Sequence, residues 1–164
     1  MANDAISNQL NMSAQYLTFD LAGEMYGVEI LKVQEIRGWE KVRNIPNAPD
    51  YIKGALNLRG EVVPIIDLRI RFAMENREFT PVTVVIVLCV KSEQGTNVIG
   101  VVADAVADVL DIKLADIKEK PNLGSKIDTR FMRGIYVYKQ NMIMLLDVDK
   151  LLNPDEFEGL PGLL

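Results

Sequence analysis

Short stretches of alternating apolar and polar residues run through the chain, and this pattern predicts a protein built mainly of β-strands. Residues 15–21 and 24–30 show the alternation on either side of a turn at Ala22-Gly23, which predicts a first hairpin. Residues 82–90 are almost continuously apolar, which predicts a strand buried on both faces. Residues 97–103 predict the strand that follows it.

A second hairpin is predicted from Tyr51 to Leu68, where two apolar runs flank the turn Asn-Leu-Arg-Gly-Glu. Gly60 can take a positive φ at little cost, as a tight turn requires. Pro64 cannot donate a ladder hydrogen bond, so the returning strand is expected at a sheet edge or at a bulge. Arg59 stands at the tip, where no local structural requirement calls for a charge. Such tips commonly carry binding residues.

In two segments the spacing of the apolar residues changes from two to three. In residues 31–37 and 105–110 apolar residues are spaced by three, which predicts short helical segments, the first ending at Gly38. The other predicted elements are a short strand at 42–45, a connection at 69–81, an irregular stretch at 112–126, a hairpin of residues 134–138 and 142–148, and a helical turn at 149–152.

The two halves of the chain resemble each other. The motif aromatic-aliphatic-basic-glycine occurs at 51–54 and again at 131–134, an offset of 80 residues (131 minus 51). At the same offset Asp67 matches Asp147, and each aspartate closes an apolar strand. Matches at an offset of 73 residues (100 minus 27) link Gly27 to Gly100, Val33 to Val106, Glu35 to Asp108 and Ile36 to Val109. These matches predict a duplication that gives two similar small β modules.

The unmatched positions of the repeat are informative too. Arg59 in the first hairpin corresponds to Lys139 in the second, and Pro64 corresponds to Met144. The glycine and aspartate framework is therefore predicted to be scaffold, and the tip is expected to carry what is special to the first module.

Composition excludes several classes of function. The net charge is −5 and there is no cluster of Lys and Arg, which disfavours binding to nucleic acid or to an anionic membrane. The absence of histidine removes Ser-His-Asp and Cys-His catalysis and histidine phosphotransfer. With Cys89 alone no internal disulfide can form, and its apolar surroundings predict a buried, inert thiol.

The chain offers no pattern for a metal, a nucleotide or a membrane span. The aspartates lack the spacing of a metal loop and are expected to be helix caps or solvated groups: Asp67, Asp104, Asp108, Asp111 and Asp147. No glycine pattern of a nucleotide site is present, and no apolar stretch approaches the roughly 20 residues that span a bilayer. The polar N-terminus predicts no signal peptide. A soluble, cytoplasmic protein is expected.

Two sets of residues leave alternatives open. Val33, Ile36, Val106 and Val109 lie in the matched helical segments and could pack within their own modules or line an apolar groove for a partner's helix. The core alternative is slightly favoured for Ile36 and Val109. Glu35 and Arg59 are either two solvated charges or a pair that orients the hairpin tip, in which case it would contribute at most about 1 kcal/mol.

Long motifs in the first half of the chain resemble a known family. The segments 26–38, 52–60 and 63–69 are similar to the CheW family of bacterial chemotaxis coupling proteins, and the resemblance runs from Gln15 to Asn153. It implies an all-β fold of two SH3-like five-stranded barrels, about 15–81 and 82–153. Tails 1–14 and 154–164 are expected to be flexible.

The resemblance also implies function. Members have no catalytic activity and no cofactor. They join the cytoplasmic tips of chemoreceptors to the regulatory domain of the histidine kinase CheA, and they reach membrane arrays without contacting the membrane or nucleic acid. The implied receptor-binding residues are Val33, Glu35, Arg59, Val84, Gly100, Val106 and Val109. The implied kinase-binding residues are Ile117, Lys118 and Leu123, and at the last two positions relatives often carry an arginine and an aromatic residue.

Three other classes of protein fit the sequence less well than an adaptor. An isolated SH3 module would need an exposed aromatic groove, whereas Trp39 and the tyrosines are scattered. An enzyme would need a clustered nucleophile and base. A kinase regulatory domain would be joined to an ATP-binding domain, whereas this sequence ends at Leu164, which favours the standalone adaptor.

Overall fold

The computed structural model describes residues 11–75, 78–93, 95–119 and 127–153. Its strands are β1 (Ser13–Leu21), β2 (Glu24–Glu29), β3 (Val33–Gly38), β4 (Ile52–Leu58), β5 (Glu61–Ile66), β6 (Val84–Ser92), β7 (Gly95–Ala103), β8 (Ala105–Lys113), β9 (Met132–Tyr138) and β10 (Asn141–Leu146). Short helices follow β5 and β10: α1 (Leu68–Arg71) and α2 (Val148–Leu151). 3₁₀ turns lie at Ile30–Lys32, Leu114–Asp116 and Thr129–Phe131.

The strands form two five-stranded sheets with the same architecture. One has the order β8-β1-β2-β10-β9 and the other β3-β6-β7-β5-β4. Moving every strand number by five converts one order into the other, so the duplication predicted from the sequence is present in the fold. Each repeat of five strands has exchanged its first two strands with the other repeat.

The exchange corrects the predicted division of the chain. A boundary between residues 81 and 82 separates the two repeats but not the two sheets, because β1 and β2 pair with strands of the second half. β1 also begins at Ser13, inside the predicted tail. The other residues predicted to form flexible tails, 1–10 and 154–164, lie outside the described ranges, as do residues 120–126 of the predicted irregular stretch. The start of that stretch is regular, because residues 112 and 113 end β8 and a 3₁₀ turn follows.

An isolated bridge curls each sheet into a small barrel. Arg43, after edge strand β3, pairs with Ala55 in the opposite edge strand β4, and Lys118, after β8, pairs with Ile135 in β9. The bridging hydrogen bonds are 2.8 to 3.0 Å long. The repeated glycines explain how the backbones approach so closely. A Cβ on Gly54 would overlap the Arg43 carbonyl oxygen, and one on Gly134 would lie 2.6 Å from that of Lys118.

A second glycine pair packs under the parallel strands of both barrels. Gly27 on β2 faces Leu145 on β10, and Gly100 on β7 faces Ile65 on β5. A Cβ on Gly27 would lie 2.9 Å from Leu145 Cδ2, and one on Gly100 would crowd Ile65 Cδ1. Leu145 and Ile65 are themselves related by the offset of 80, so the whole contact is duplicated.

The helical prediction for 31–37 and 105–110 is wrong, because these residues belong chiefly to strands β3 and β8. In β3 the register shifts between Val33, which pairs with Leu88, and Glu35, which pairs with Val87. This bulge inserts one residue, so Val33 and Ile36 share a face despite their spacing of three. β8 has a register shift at the matching place, between Val106 and Val109.

Smaller predictions had mixed outcomes. The hairpin turns are confirmed, with positive φ at Arg59 (53°), Gly60 (85°), Lys139 (48°) and Gln140 (68°). Of the two alternatives expected from Pro64, the sheet edge is wrong, because β5 lies between β4 and β7, although its ladder with β7 begins only at Ile65. The β4–β5 ladder does contain a register shift, between Ile52 and Gly54 on β4. The predicted connection 69–81 begins within helix α1. In place of the strand predicted at 42–45, the structure has the isolated bridge of Arg43.

The described residues form three apolar clusters. The largest joins the two sheets and includes Leu17 and Phe19 of β1 with Ile86 and Leu88 of β6. The other two fill the barrels, one around Val63, Ile65, Val85 and Val87 and the other around Tyr16, Ile112, Ile143 and Leu145. β6 contributes to two clusters, which confirms a strand buried on both faces. Cys89 differs from expectation, since it is partly exposed and its Sγ donates to Gln34 Oε1 at 3.4 Å.

Candidate functional site

Two equivalent edge strands, β3 and β8, border the apolar cluster between the barrels. Val33 on β3 packs against this cluster, as does Val84 at the start of β6. On β8, Val106 lies opposite Phe19 and Val109 lies opposite Leu17. Directly opposite residues of an antiparallel pair share a face, so both β8 valines lie on the side of the sheet that carries the cluster.

This border stays open to solvent although it is apolar. Ile36, Val106 and Val109 are 41%, 36% and 48% exposed, and Val33 and Val84 are half-buried. We call these five residues the interbarrel rim. The slight preference for Ile36 and Val109 as core residues is wrong, since both remain exposed.

A short crossing joins the two sides of the rim. Val84 pairs with Ala103, the last residue of β7, and the chain then passes through Asp104 into β8. The Asp104 N–H donates to the Asp20 carbonyl at 2.9 Å, which fixes this crossing against β1. Four of the predicted receptor-binding residues therefore border the interbarrel cluster, Val33 and Val84 by packing on it and Val106 and Val109 by lying on its side of the other sheet.

Gly100 and Glu35 occupy different surroundings. Gly100 is buried between Val87 and Ile65 of the neighbouring strands, and it packs against the cluster that fills this barrel rather than the cluster that the rim borders. Glu35 lies on β3 between the rim residues, at the bulge, and is half-buried.

Arg59 lies at the tip of the β4–β5 hairpin with an exposed side chain. The turn is held by a 2.9 Å hydrogen bond from the Gly60 N–H to Asn57 Oδ1. In the described ranges no ion pair joins Arg59 to Glu35, so the structure shows two separate charges rather than the pair considered from the sequence.

Ile117 and Lys118 close the other barrel. The Ile117 side chain packs partly buried against the cluster around Tyr16. Lys118 exchanges two backbone hydrogen bonds with Ile135, of 2.8 and 2.9 Å, while its side chain is exposed. Leu123 lies outside the described residues.

An apolar cleft that sequence reasoning missed lies beside Ile117. It has a volume of about 270 Å³, and its lining includes Met12, Tyr16, Ile112, Leu114, Ile117 and Arg133. Arg133 forms a 2.8 Å ion pair with Glu29 at the cleft. Burial raises the pKa of the Tyr16 hydroxyl, and the Glu29 charge raises it further. Arg133 was visible in the sequence as the basic residue of the repeated motif, but nothing there indicated a cleft.

The sequence also missed a buried ionic network. The Arg69 guanidinium has no solvent exposure and donates from Nε and Nη2 to both carboxylate oxygens of Asp67 at 2.9 Å. It also pairs with Asp104 and donates to the Glu78 carbonyl at 2.9 Å. Burial lowers the pKa of Arg69, but hydrogen bonds and charges from Asp67 and Asp104 outweigh it and leave the pKa raised. Asp67 caps α1 as expected, but it is buried rather than solvated.

No helix in the described part of the chain is long and apolar enough to span a membrane. Two linked five-stranded barrels with an exposed apolar strip between them define the class of protein by fold, a two-barrel all-β protein. The chain belongs to the CheW-like family, whose model matches residues 15–156. Proteins of this family are scaffolds or adaptors and not enzymes.

Individual relatives agree over most of the chain. A chemotaxis protein CheW from Klebsiella aerogenes is 44% identical over 142 residues, which cover 87% of this chain and 83% of the relative. A chemotaxis protein CheW from Rhizobium meliloti is 35% identical over 156 residues, covering 95% and 98%. The crystal structure of the scaffolding protein TtCheW from Thermoanaerobacter tengcongensis matches with a TM-score of 0.73 at 32% identity, covering 82% of this chain and 84% of that one.

Proposed function

We propose that this chain is a non-enzymatic chemotaxis adaptor that couples transmembrane chemoreceptors to the histidine kinase CheA. The observation that carries the proposal is the family match over residues 15–156, together with relatives that are named chemotaxis proteins. A two-barrel scaffold with separate surfaces suits this task, because an adaptor must hold two partners at once.

The interbarrel rim is the proposed receptor surface. The cytoplasmic tips of chemoreceptors are helical, and an apolar strip between two barrels suits the apolar face of a helix. Val33, Val84, Val106 and Val109 would supply the contact, with Glu35 adding a charge beside them. Gly100 would act indirectly, by letting the strands inside its barrel pack closely. Arg59 would contact the receptor through its exposed guanidinium at the hairpin tip.

The end of the other barrel is the proposed kinase surface. Ile117 borders the apolar cleft, and the exposed Lys118 side chain lies beside it. Leu123 joins this surface on the strength of the family resemblance. Val106 and Val109 of the rim lie within β8, whereas Ile117 and Lys118 follow the end of that strand, so receptor and kinase could bind together. The protein would work in the cytoplasm and be recruited to receptor arrays through these contacts.

Reconstitution tests this function. Receptor-containing membranes, CheA and this protein are combined, and kinase autophosphorylation and co-sedimentation are measured with and without the protein. We expect activation and co-sedimentation that depend on the protein. Their absence with folded protein would remove the adaptor function.

Matched valine variants separate the rim from general surface effects. Val109→Asp places a charge on the rim. Val137→Asp places a charge on β9 of the same barrel, away from the rim. The two valines are matched in exposure, at 48% for Val109 and 45% for Val137. We expect the first variant to lose receptor binding and the second to keep it. Equal losses would argue against the rim as the docking surface.

A further inference from the structure

Two ion pairs connect the barrels at equivalent places. Arg69 on α1 follows a strand of one sheet and pairs with Asp104, on the crossing where β7 passes into β8 of the other sheet. Lys32 lies on the other crossing, where β2 passes into β3, and pairs with Asp149 on α2 at 2.8 Å. Arg69 and Asp149 are related by the same offset of 80 residues (149 minus 69). We call these contacts the two braces.

In each brace the carboxylate also accepts a hydrogen bond from a backbone N–H, and the two N–H groups lie at equivalent places. Asp104 Oδ2 accepts from the Ala22 N–H at 2.6 Å, and Asp149 Oδ1 accepts from the Lys91 N–H at 2.8 Å. β6 takes the place of β1 in the other barrel. Thr18 pairs with Gly27 and Val87 pairs with the equivalent Gly100, and Ala22 and Lys91 each lie four residues further along the chain (22 minus 18 and 91 minus 87). Each brace therefore links a helix, a crossing and the end of a strand.

The polarity of the braces is opposite. In the first the carboxylate lies on the crossing and the cation on the helix, and in the second the arrangement is reversed. If each helix met the crossing of its own repeat, Arg69 would face Lys32 and Asp149 would face Asp104. Like charges at such distances repel, so the reversal favours the exchanged arrangement over the unexchanged one.

The crossings lead directly into the strands that carry the rim. Val33 follows Lys32 immediately, and Val106 follows Asp104 after one residue. We infer that the two braces position the β3 and β8 sides of the interbarrel rim relative to each other, so that Asp104 and Asp149 are positioning residues for receptor docking. The inference rests on the proposed receptor surface and adds the groups that set its geometry.

Matched substitutions isolate the ionic part of each brace. Asp104→Asn and Asp149→Asn keep an oxygen that can accept from Ala22 or Lys91 but remove the charge facing Arg69 or Lys32. Arg130→Gln is the control, because it removes an exposed ion pair with Asp128 that does not join the barrels.

Rim geometry is measured without any partner. Spin labels are attached through Gln34→Cys and Ala107→Cys, two exposed positions related by the offset of 73, in a Cys89→Ser background. Pulsed electron spin resonance then gives the distance distribution across the rim. We expect Asp104→Asn and Asp149→Asn to broaden it and Arg130→Gln to leave it unchanged. An unchanged distribution in both brace variants would overturn the inference.

Binding is measured on unlabelled proteins with a receptor-tip fragment and, separately, with the CheA regulatory domain. We expect the brace variants to lose receptor affinity by about fivefold or more while kinase affinity is kept, a split that general destabilisation would not produce. Unchanged receptor affinity in the brace variants would reject the positioning role. Failure of the unsubstituted protein to bind the receptor fragment would instead reject the proposed function.

Discussion

Thr18 and Asp108 exchange two hydrogen bonds across the bulge between β1 and β8. The Thr18 hydroxyl donates to the Asp108 carbonyl and accepts from the Asp108 N–H, both at 2.9 Å, and Thr18 is only 2% exposed. A side chain thus replaces the ladder bonds that the bulge interrupts, and it does so between rim residues Val106 and Val109.

Thr18→Val tests this contact. The two side chains have nearly the same shape, but valine leaves the Asp108 backbone groups without the hydroxyl. We expect a loss of about 1–3 kcal/mol in the free energy of unfolding, measured by denaturant titration. We also expect faster amide hydrogen exchange along β8. Thr80→Val, at an exposed loop position, is the control, and equal effects in the two variants would contradict a special role for the bulge.

Gly54→Ala and Gly134→Ala test the close approach that closes each barrel. A methyl group at either position would collide with the bridging backbone, and Gly54 also has a φ of +147° that disfavours alanine. We expect each substitution to destabilise the protein by about 2 kcal/mol or more in thermal or denaturant unfolding. Gly38→Ala is the control, because nothing lies within 4 Å of its added Cβ. A neutral Gly54→Ala would show that the barrel can shift without cost.

Arg59→Glu tests the hairpin tip. Since the side chain is exposed and forms no ion pair in the described structure, we expect the fold and its unfolding midpoint to be unchanged. Receptor-dependent kinase activation should fall. Lys139→Glu reverses the charge at the equivalent tip of the other barrel and should leave activation unchanged. Normal activation by folded Arg59→Glu protein would remove the proposed role of Arg59.

The features of the fold that could be predicted from the sequence are those determined by residues close together in the chain. The turn at Arg59-Gly60 was predictable because turn geometry is written in adjacent residues. The period of three at Val33 and Ile36 was misleading, because a bulged strand puts residues three apart on one face just as a helix does. The duplication was visible as constant offsets, yet an offset shows likeness and not which copy a strand pairs with. The exchange of strands was therefore hidden.

The candidate site shows the same limit. The repeat indicates Val33, Val106 and Val109, although it predicts the wrong element for them, and Val84 follows from the family resemblance alone. The sequence predicts that Arg69 lies in a polar connection, because charged residues are rarely buried unless they are paired. Its partner Asp104 is 35 residues away. Asp67 is a local partner two residues away, but no local pattern could indicate Asp104 or the burial of the network.

The native fold disfavours the ionised form of the Asp20 carboxylate, and Asp20→Asn tests this effect. Burial raises the pKa of Asp20, and the nearby Asp104 charge raises it further. Because the native state then binds its proton more tightly than the unfolded chain, this group's contribution to stability falls as the pH rises from about the unfolded value of 3.8 through the raised native value. We expect Asp20→Asn to raise the melting temperature at neutral pH, with a gain that shrinks on acidification. A gain that does not depend on pH would contradict this origin.

The Asp104 charge provides a second check on Asp20. In an Asp104→Asn background the repulsion is gone, so the benefit of Asp20→Asn at neutral pH should be smaller than in the unsubstituted protein. Strict additivity of the two substitutions would show that the carboxylates do not interact.

Arg69→Met tests the buried network. The substitution keeps much of the side chain's volume but leaves the carboxylate of Asp67, which has no solvent exposure, without its cation. Loss of one partner from a buried ion pair typically costs about 3–5 kcal/mol, and we expect a loss of that order in denaturant unfolding. Arg69→Lys should recover only part of the lost stability, because an ammonium group cannot reproduce the paired bonds from Nε and Nη2.

Arg69→Met combined with Asp67→Asn should be more stable than Arg69→Met alone, since no unpaired charge then remains at Asp67. If the double variant were no more stable than the single one, lost packing around Arg69 rather than an uncompensated charge would be the source of the destabilisation.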